Sequence, residues 1–196
     1  MDHHMRESAR KTNRRTVLAL AGSAALAAVA GCLGDDEDAP DPEALTGDDI
    51  CEACGMEVTQ HPGPVGQAFY DDHPDLEDGR AAFCSGTCTF GWTLMEADAG
   101  YDAEVRYLTD YSTVDWSIEE DGDDAFLSPH FDAEDQADVE TLTVLAGSDL
   151  YGAMGEDIIG FAEESDAEEL QDEYGGEVLA AEDVTRELVD SLGGGM

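Results

Sequence analysis

From residue 32 onward the chain sets 46 carboxylates against three arginines, Arg80, Arg106 and Arg186, and it has no lysine there. Residues 1–31 hold the other five of the eight basic residues and, of the 48 acidic ones, only Asp2 and Glu7. The remainder therefore carries a formal charge of −43. Self-repulsion on that scale works against any compact state in dilute buffer. Molar salt shortens the screening length to about 3 Å and relieves it. The composition predicts a salt-adapted surface, and it excludes nucleic acid as a partner because no basic patch is available for phosphates. A disordered acidic tail is the other way to carry such charge. The apolar residues after residue 50 are too frequent and too periodic for that.

The first residues read as an address. Arg6, Arg10, Lys11, Arg14 and Arg15 precede the apolar run Thr16 to Ala30, "TVLALAGSAALAAVA", which small residues close. The run is short for a membrane span and suits a cleavable export signal over residues 1–31. The Arg14-Arg15 pair gives it the twin-arginine form that carries folded proteins outward. "VAGC" then resembles a lipobox, with lipid attached to Cys32 after cleavage. An anchor helix with an incidental cysteine is the alternative. Both place the domain outside the cytoplasm, on the outer face of the cytoplasmic membrane. Residues 32–50, acidic and holding two prolines, read as a tether.

Beyond the tether, the stretch from residue 51 suits one medium domain or two small ones sharing a core, read as a domain over 51–192. Strands are expected at 65–70, 80–84 and 104–108. A helix begins after Ser85, with Cys88, Trp92, Met95 and Ala99 on one stripe, and ends near Gly100. The order then recurs, with strands at 141–146 and 156–162. A helix follows whose capping box is Ser165–Glu168, with Ala167, Leu170 and Tyr174 inward and a stop at Gly175-Gly176. A strand at 177–181 and a short helix at 183–192 close the chain. The expected fold is α+β, two similar strand-strand-helix-strand units of about 51–117 and 118–192 sharing a core.

With Cys32 assigned to lipid, four thiols remain: Cys51-x-x-Cys54, then Cys84-x-x-x-Cys88 after 29 intervening residues. Two such pairs can close a tetrahedron around zinc, although the gap exceeds the usual ribbon spacing. In an exported protein they could equally form disulfides, or the CxxC pair could exchange as a redox dithiol. Met56 shifts the balance, because a thioether selects Cu(I) where zinc takes thiolate, imidazole or carboxylate. "HPGP" offers the imidazole of His61 on a rigid turn. Met154, flanked by small residues in "YGAMGED", is expected on a loop between strands with little core to fill. His73 and His130 lie in acidic, proline-adjacent stretches and are expected to face solvent. No nucleophile elbow or hydrolase constellation is present, so the chain reads as a binding protein and not as an enzyme.

"CGM" followed by "HPGP", then "GAMGEDIIGF" and "YGGEVLAAEDV", resembles the NosL family over residues 50–186. That resemblance implies an exported Cu(I)-binding lipoprotein that serves nitrous oxide reductase maturation beside an ABC-type transporter system. It assigns the C-x-M pair to Cys54 and Met56, the histidine turn to His61 and the methionine loop to Met154, on a fold of two ββα units. The motif CxxCGM…FCSxxC departs from simpler members and resembles small heavy-metal-associated domains. With the acid excess it suggests a haloarchaeal-type version. It adds Cys51, Cys84 and Cys88 as candidate ligands, with zinc as the alternative to copper.

Overall fold

The computed structural model describes residues 39–122 and 124–193. The expected signal peptide and Cys32 lie outside them. Among the described residues no helix is long and apolar enough to cross a membrane. In chain order the elements are β1 (Gly66–Phe69), β2 (Arg80–Phe83), α1 (Gly86–Ala99), β3 (Val105–Thr109), β4 (Ile118–Asp121) and β5 (Asp124–Leu127). They continue with β6 (Gln136–Asp138), β7 (Thr143–Gly152), β8 (Gly155–Phe161), α2 (Glu164–Tyr174), β9 (Glu177–Ala180) and α3 (Arg186–Ser191).

Two sheets result, a mixed α+β architecture. The first runs β2-β1-β3-β6 and the second β4-β5-β7-β8, with β9 also on β7. In the first, β1 lies between β2 and β3, antiparallel to both, and α1 links β2 to β3. In the second, β7 lies between β8 and β9, antiparallel to both, and α2 links β8 to β9. β6, from within the stretch expected as the second unit, returns to pair with β3 of the first sheet. Its Gln136 accepts a 2.8 Å hydrogen bond from the buried Gln67 amide. That bond gives the strand a reason to cross that no local periodicity reveals. β4 reads "IEED" and shows no apolar alternation. It exists as an edge strand because β5 supplies its ladder.

The expected tether ends earlier than residue 50. Leu45 is buried in the core cluster that contains Val65 and Phe83. Its N–H donates to Phe131 O at 2.8 Å. The Gln67 side chain pairs with the backbone of Glu43, donating at 2.8 Å and accepting at 3.2 Å. Arg80 meets Asp49 at 2.7 Å. One buried leucine contributes about 2 kcal/mol, enough to seat this acidic strap on β1 and β2.

Helix α1 is enclosed as far as Thr93, where the sequence suggested a single stripe. Cys88 and Trp92 face the first sheet's core, while Phe90 packs with Leu108 and Ile158 on the other side. Glycine and threonine permit that sandwich: a Cβ at Gly86 would collide with Ile158 O. The stripe stops at Met95, since Ala99 is exposed. Helix α2 starts at Glu164, and its N-cap Glu163 makes no side-chain cap bond, so the expected Ser165 capping box is not formed. The entry is fixed from outside, by Asp110 Oδ1 accepting from Ala162 N at 2.8 Å and Ser112 Oγ from Glu163 N at 3.1 Å. The last helix starts at Arg186, not 183. Thr185 caps it by accepting from Leu188 N, and Ala181–Asp183 form a separate 3-10 turn.

Candidate metal centre

The CxxCGM segment is one tight turn laid against β2. Cys51 N donates to Met56 O and Gly55 N to Cys51 O, both at 2.8 Å, and Glu52 N reaches Ala82 O at 3.0 Å. Gly55 takes φ 74°, a left-handed conformation that costs glycine nothing and most residues about 1 kcal/mol or more. That reversal lets Met56 O close back onto Cys51 N. Cys84 follows the last residue of β2, and Cys88 lies in the first turn of α1. Between them Ser85 caps the helix, its Oγ accepting from Cys88 N at 2.9 Å. A C-x3-C spacing across a helix cap puts both thiols at the positive end of the helix dipole, which favours thiolate.

The two segments bring the Sγ atoms of Cys51, Cys54, Cys84 and Cys88 within 4.8 Å of one another. Cys54 and Cys84 are 3.5 Å apart, and all four are free thiols. A metal–sulfur bond of about 2.3 Å in a tetrahedron implies an edge of about 3.8 Å, so the cluster has the size of a metal-binding cage. Cys51, Cys84 and Cys88 are buried and Cys54 is half-buried, making Cys54 the open corner. Hydrogen bonds from Cys84 and Cys88 draw the Cys51 thiol down to about 2. The same bonds hold the Cys84 and Cys88 protons well above the ordinary thiol range, with burial adding to the effect.

Met56 is half-buried and packs against the core cluster that holds these thiols. Met154 lies on the expected loop, at the tip of the β7–β8 hairpin, 43% exposed. Its neighbour Ala153 packs against the thiol-bearing cluster. His61 does not join the group of four. Its turn is tied to β5 by Gly63 N donating to Leu127 O at 3.1 Å. His61 itself lines a cleft with Glu119, Glu120, Asp121 and Phe126.

His73 is not solvent-facing. It is 6% exposed and packed among Tyr70, Trp92 and Tyr101, with Nε2 3.0 Å from Glu96 Oε2. The apolar faces of three aromatic rings outweigh the acidity of its sequence neighbours. His130 is half-buried beside Tyr111, its Nε2 3.3 Å from Ser128 Oγ.

One buried residue of the neighbourhood carried no sequence signal. Asp157 is fully enclosed. Its Oδ1 accepts from Thr87 N at 2.7 Å, Ile158 N at 2.8 Å and Thr87 Oγ1 at 2.9 Å. Burial raises its carboxyl to about 7, against the pull of those hydrogen bonds. In a chain so rich in carboxylates, "GED" reads as one more solvated pair. Only the largely apolar run that follows, Ile158 to Phe161, all four residues of it buried, pointed to an inward strand.

A family model for NosL matches residues 42–189. The chain belongs to the NosL family. It is 33% identical over 149 residues to the copper-binding lipoprotein NosL of Stutzerimonas stutzeri, covering 76% of this chain and 68% of that one. Its fold is similar to the crystal structure of the copper chaperone NosL from Shewanella denitrificans, with TM-score 0.62 and 25% identity, over 76% of this chain and 98% of that chain. The NosL match begins at residue 42, inside the acidic strap that Leu45 anchors, so the strap belongs to the domain.

Proposed function

We propose that this chain is a membrane-anchored, extracytoplasmic Cu(I) carrier that delivers copper for maturation of nitrous oxide reductase or a related cuproprotein. The observation that carries it is the cage of four free thiols with the Met56 side chain packed against the same cluster, in a chain of the NosL family. Cu(I) is the cargo and no bond-making chemistry is needed. Soft thiolate and thioether ligands favour it over harder ions. Cys54 and Met56, half-buried, are the ligands through which copper exchanges with donor and recipient. Met154 completes the set from the hairpin, and His61, in the cleft beside β4, serves during transfer.

The lipid on Cys32, the twin-arginine signal, adaptation to concentrated salt and work beside an ABC-type maturation system complete the reading. The relative described as a lipoprotein supports the anchor. The intact mass of membrane-extracted protein, starting at Cys32 with acyl groups added, tests it. Zinc is the second reading, favoured by the four-thiol geometry alone. Competition titration against a chromophoric Cu(I) chelator, anaerobic and reduced, separates the two. Met56→Leu keeps volume and removes the sulfur. It should weaken Cu(I) by about tenfold or more, equivalent to 1.4 kcal/mol, and leave Zn(II) unchanged. If Met56→Leu holds Cu(I) as the parent does while Cys84→Ser abolishes metal binding, the assignment of the metal to Cys54 and Met56 is wrong and a four-thiol site takes its place.

A further inference from the structure

We propose that Asp157 is a positioning residue which locks the Met154 hairpin to the thiol-bearing end of α1, so that the Met154 thioether is presented to the four cysteines. This rests on the soft-metal reading above. The β7–β8 ladder pairs Ala146 with Ile158 and Gly152 with Gly155 without using any side chain. The Asp157 carboxylate is therefore not needed to form the hairpin. Two of its three hydrogen bonds go instead to Thr87, the residue before Cys88. Thr87 Oγ1 also lies 3.3 Å from Glu156 O, a further link from the same strand.

The contact is also shaped by two absent side chains. A Cβ at Gly86 would strike Ile158 O, and one at Gly152 would strike Asp157 Oδ2. The cysteine turn and the hairpin thus meet backbone to backbone, with the carboxylate filling the join. Asp157 Oδ2 has no hydrogen-bond partner and no solvent, a cost of about 1–3 kcal/mol for a buried polar atom. A threonine or asparagine could cap the first turn of α1 from the surface without it. What this placement supplies is a fixed distance between Met154, three residues before Asp157, and Cys88, one residue after Thr87. Ala153, beside Met154, packs against the core cluster to which Cys51, Cys84 and Cys88 belong, so the hairpin tip lies on that side of the fold.

Partners that orient metal ligands from behind change affinity by roughly ten- to a hundredfold when removed. The test is Cu(I) competition titration on Met154→Leu, Asp157→Ala, the double variant, Asp157→Asn and Thr87→Val. Met154→Leu and Asp157→Ala should each weaken Cu(I) by roughly tenfold or more, and the double variant should be no weaker than the worse single. Asp157→Asn keeps the Oδ1 acceptor and should bind nearly as the parent, which a loss of general stability would not produce. Thr87→Val, close to isosteric, removes both Oγ1 contacts but keeps the bond from Thr87 N to Asp157 Oδ1, and should fall between. If Asp157→Ala does not fold, Thr87→Val combined with Met154→Leu carries the same cycle. Additive losses, or Asn as damaging as Ala, overturn the positioning role and leave Met154 a ligand. A Met154→Leu protein that binds as the parent overturns the proposal and also removes Met154 from the functional reading.

Discussion

Replacing Asp157 by asparagine should change how folding stability depends on pH, because this carboxyl sits in the fold with no solvent around it. Its value rises from 3.8 to about 7 on burial. The raised value means the folded state favours the protonated form, so ionisation opposes folding. The cost is absent below 3.8, grows as pH rises between 3.8 and 7, and is complete above 7. Over that interval, at about 1.36 kcal/mol per pH unit, it reaches about 4 kcal/mol. At pH 5 less than half of it is present, so moving from pH 8 to pH 5 relieves roughly 2–3 kcal/mol. Asparagine preserves the shape and the Oδ1 acceptor and does not titrate. The stability of Asp157→Asn relative to the parent should therefore increase by roughly 2–3 kcal/mol from pH 5 to pH 8. Urea unfolding of the reduced, metal-free protein in molar KCl measures it at each pH, and comparing the two proteins cancels the other carboxylates and the thiols. Parallel profiles would refute the buried, proton-holding carboxyl.

Two further outcomes follow from the surface and from the aromatic core. With −43 on residues 32–196, far-UV dichroism should show the metal-free domain folding as KCl rises from millimolar to molar, and a domain equally folded at both would contradict salt adaptation. His73→Ala removes a ring packed among Tyr70, Trp92 and Tyr101 and should cost about 2–4 kcal/mol by denaturant unfolding. A change below about 0.5 kcal/mol, as at an exposed site, would contradict its burial.

Local chemistry made part of this molecule legible in advance. The helix after Ser85 and its stop at Gly100 follow from a cap and a left-handed glycine. The strands at β1, β2, β3, β7, β8 and β9 follow from apolar runs. The two cysteine pairs and Met56 stood out because soft donors are scarce in a chain of carboxylates. Pairing between distant segments was not legible. β4 and β6 carry too few apolar residues to be seen, and they form because β5 and β3 offer them open edges.

The sequence by itself determined which donors exist, where the helices and main strands fall, and that the surface repels itself. Only the tertiary structure decided which donors meet. It gathered Cys51 and Cys54 with Cys84 and Cys88 because the CxxCGM turn bridges to β2 at Ala82. It sent His61 to the cleft beside β4 because Gly63 pairs with Leu127. It buried Leu45 and His73, whose neighbours along the chain are exposed, and Asp157, which follows the exposed Glu156. A residue's burial is fixed by what lies across from it in space, and that depends on loop closures between segments that share no sequence pattern.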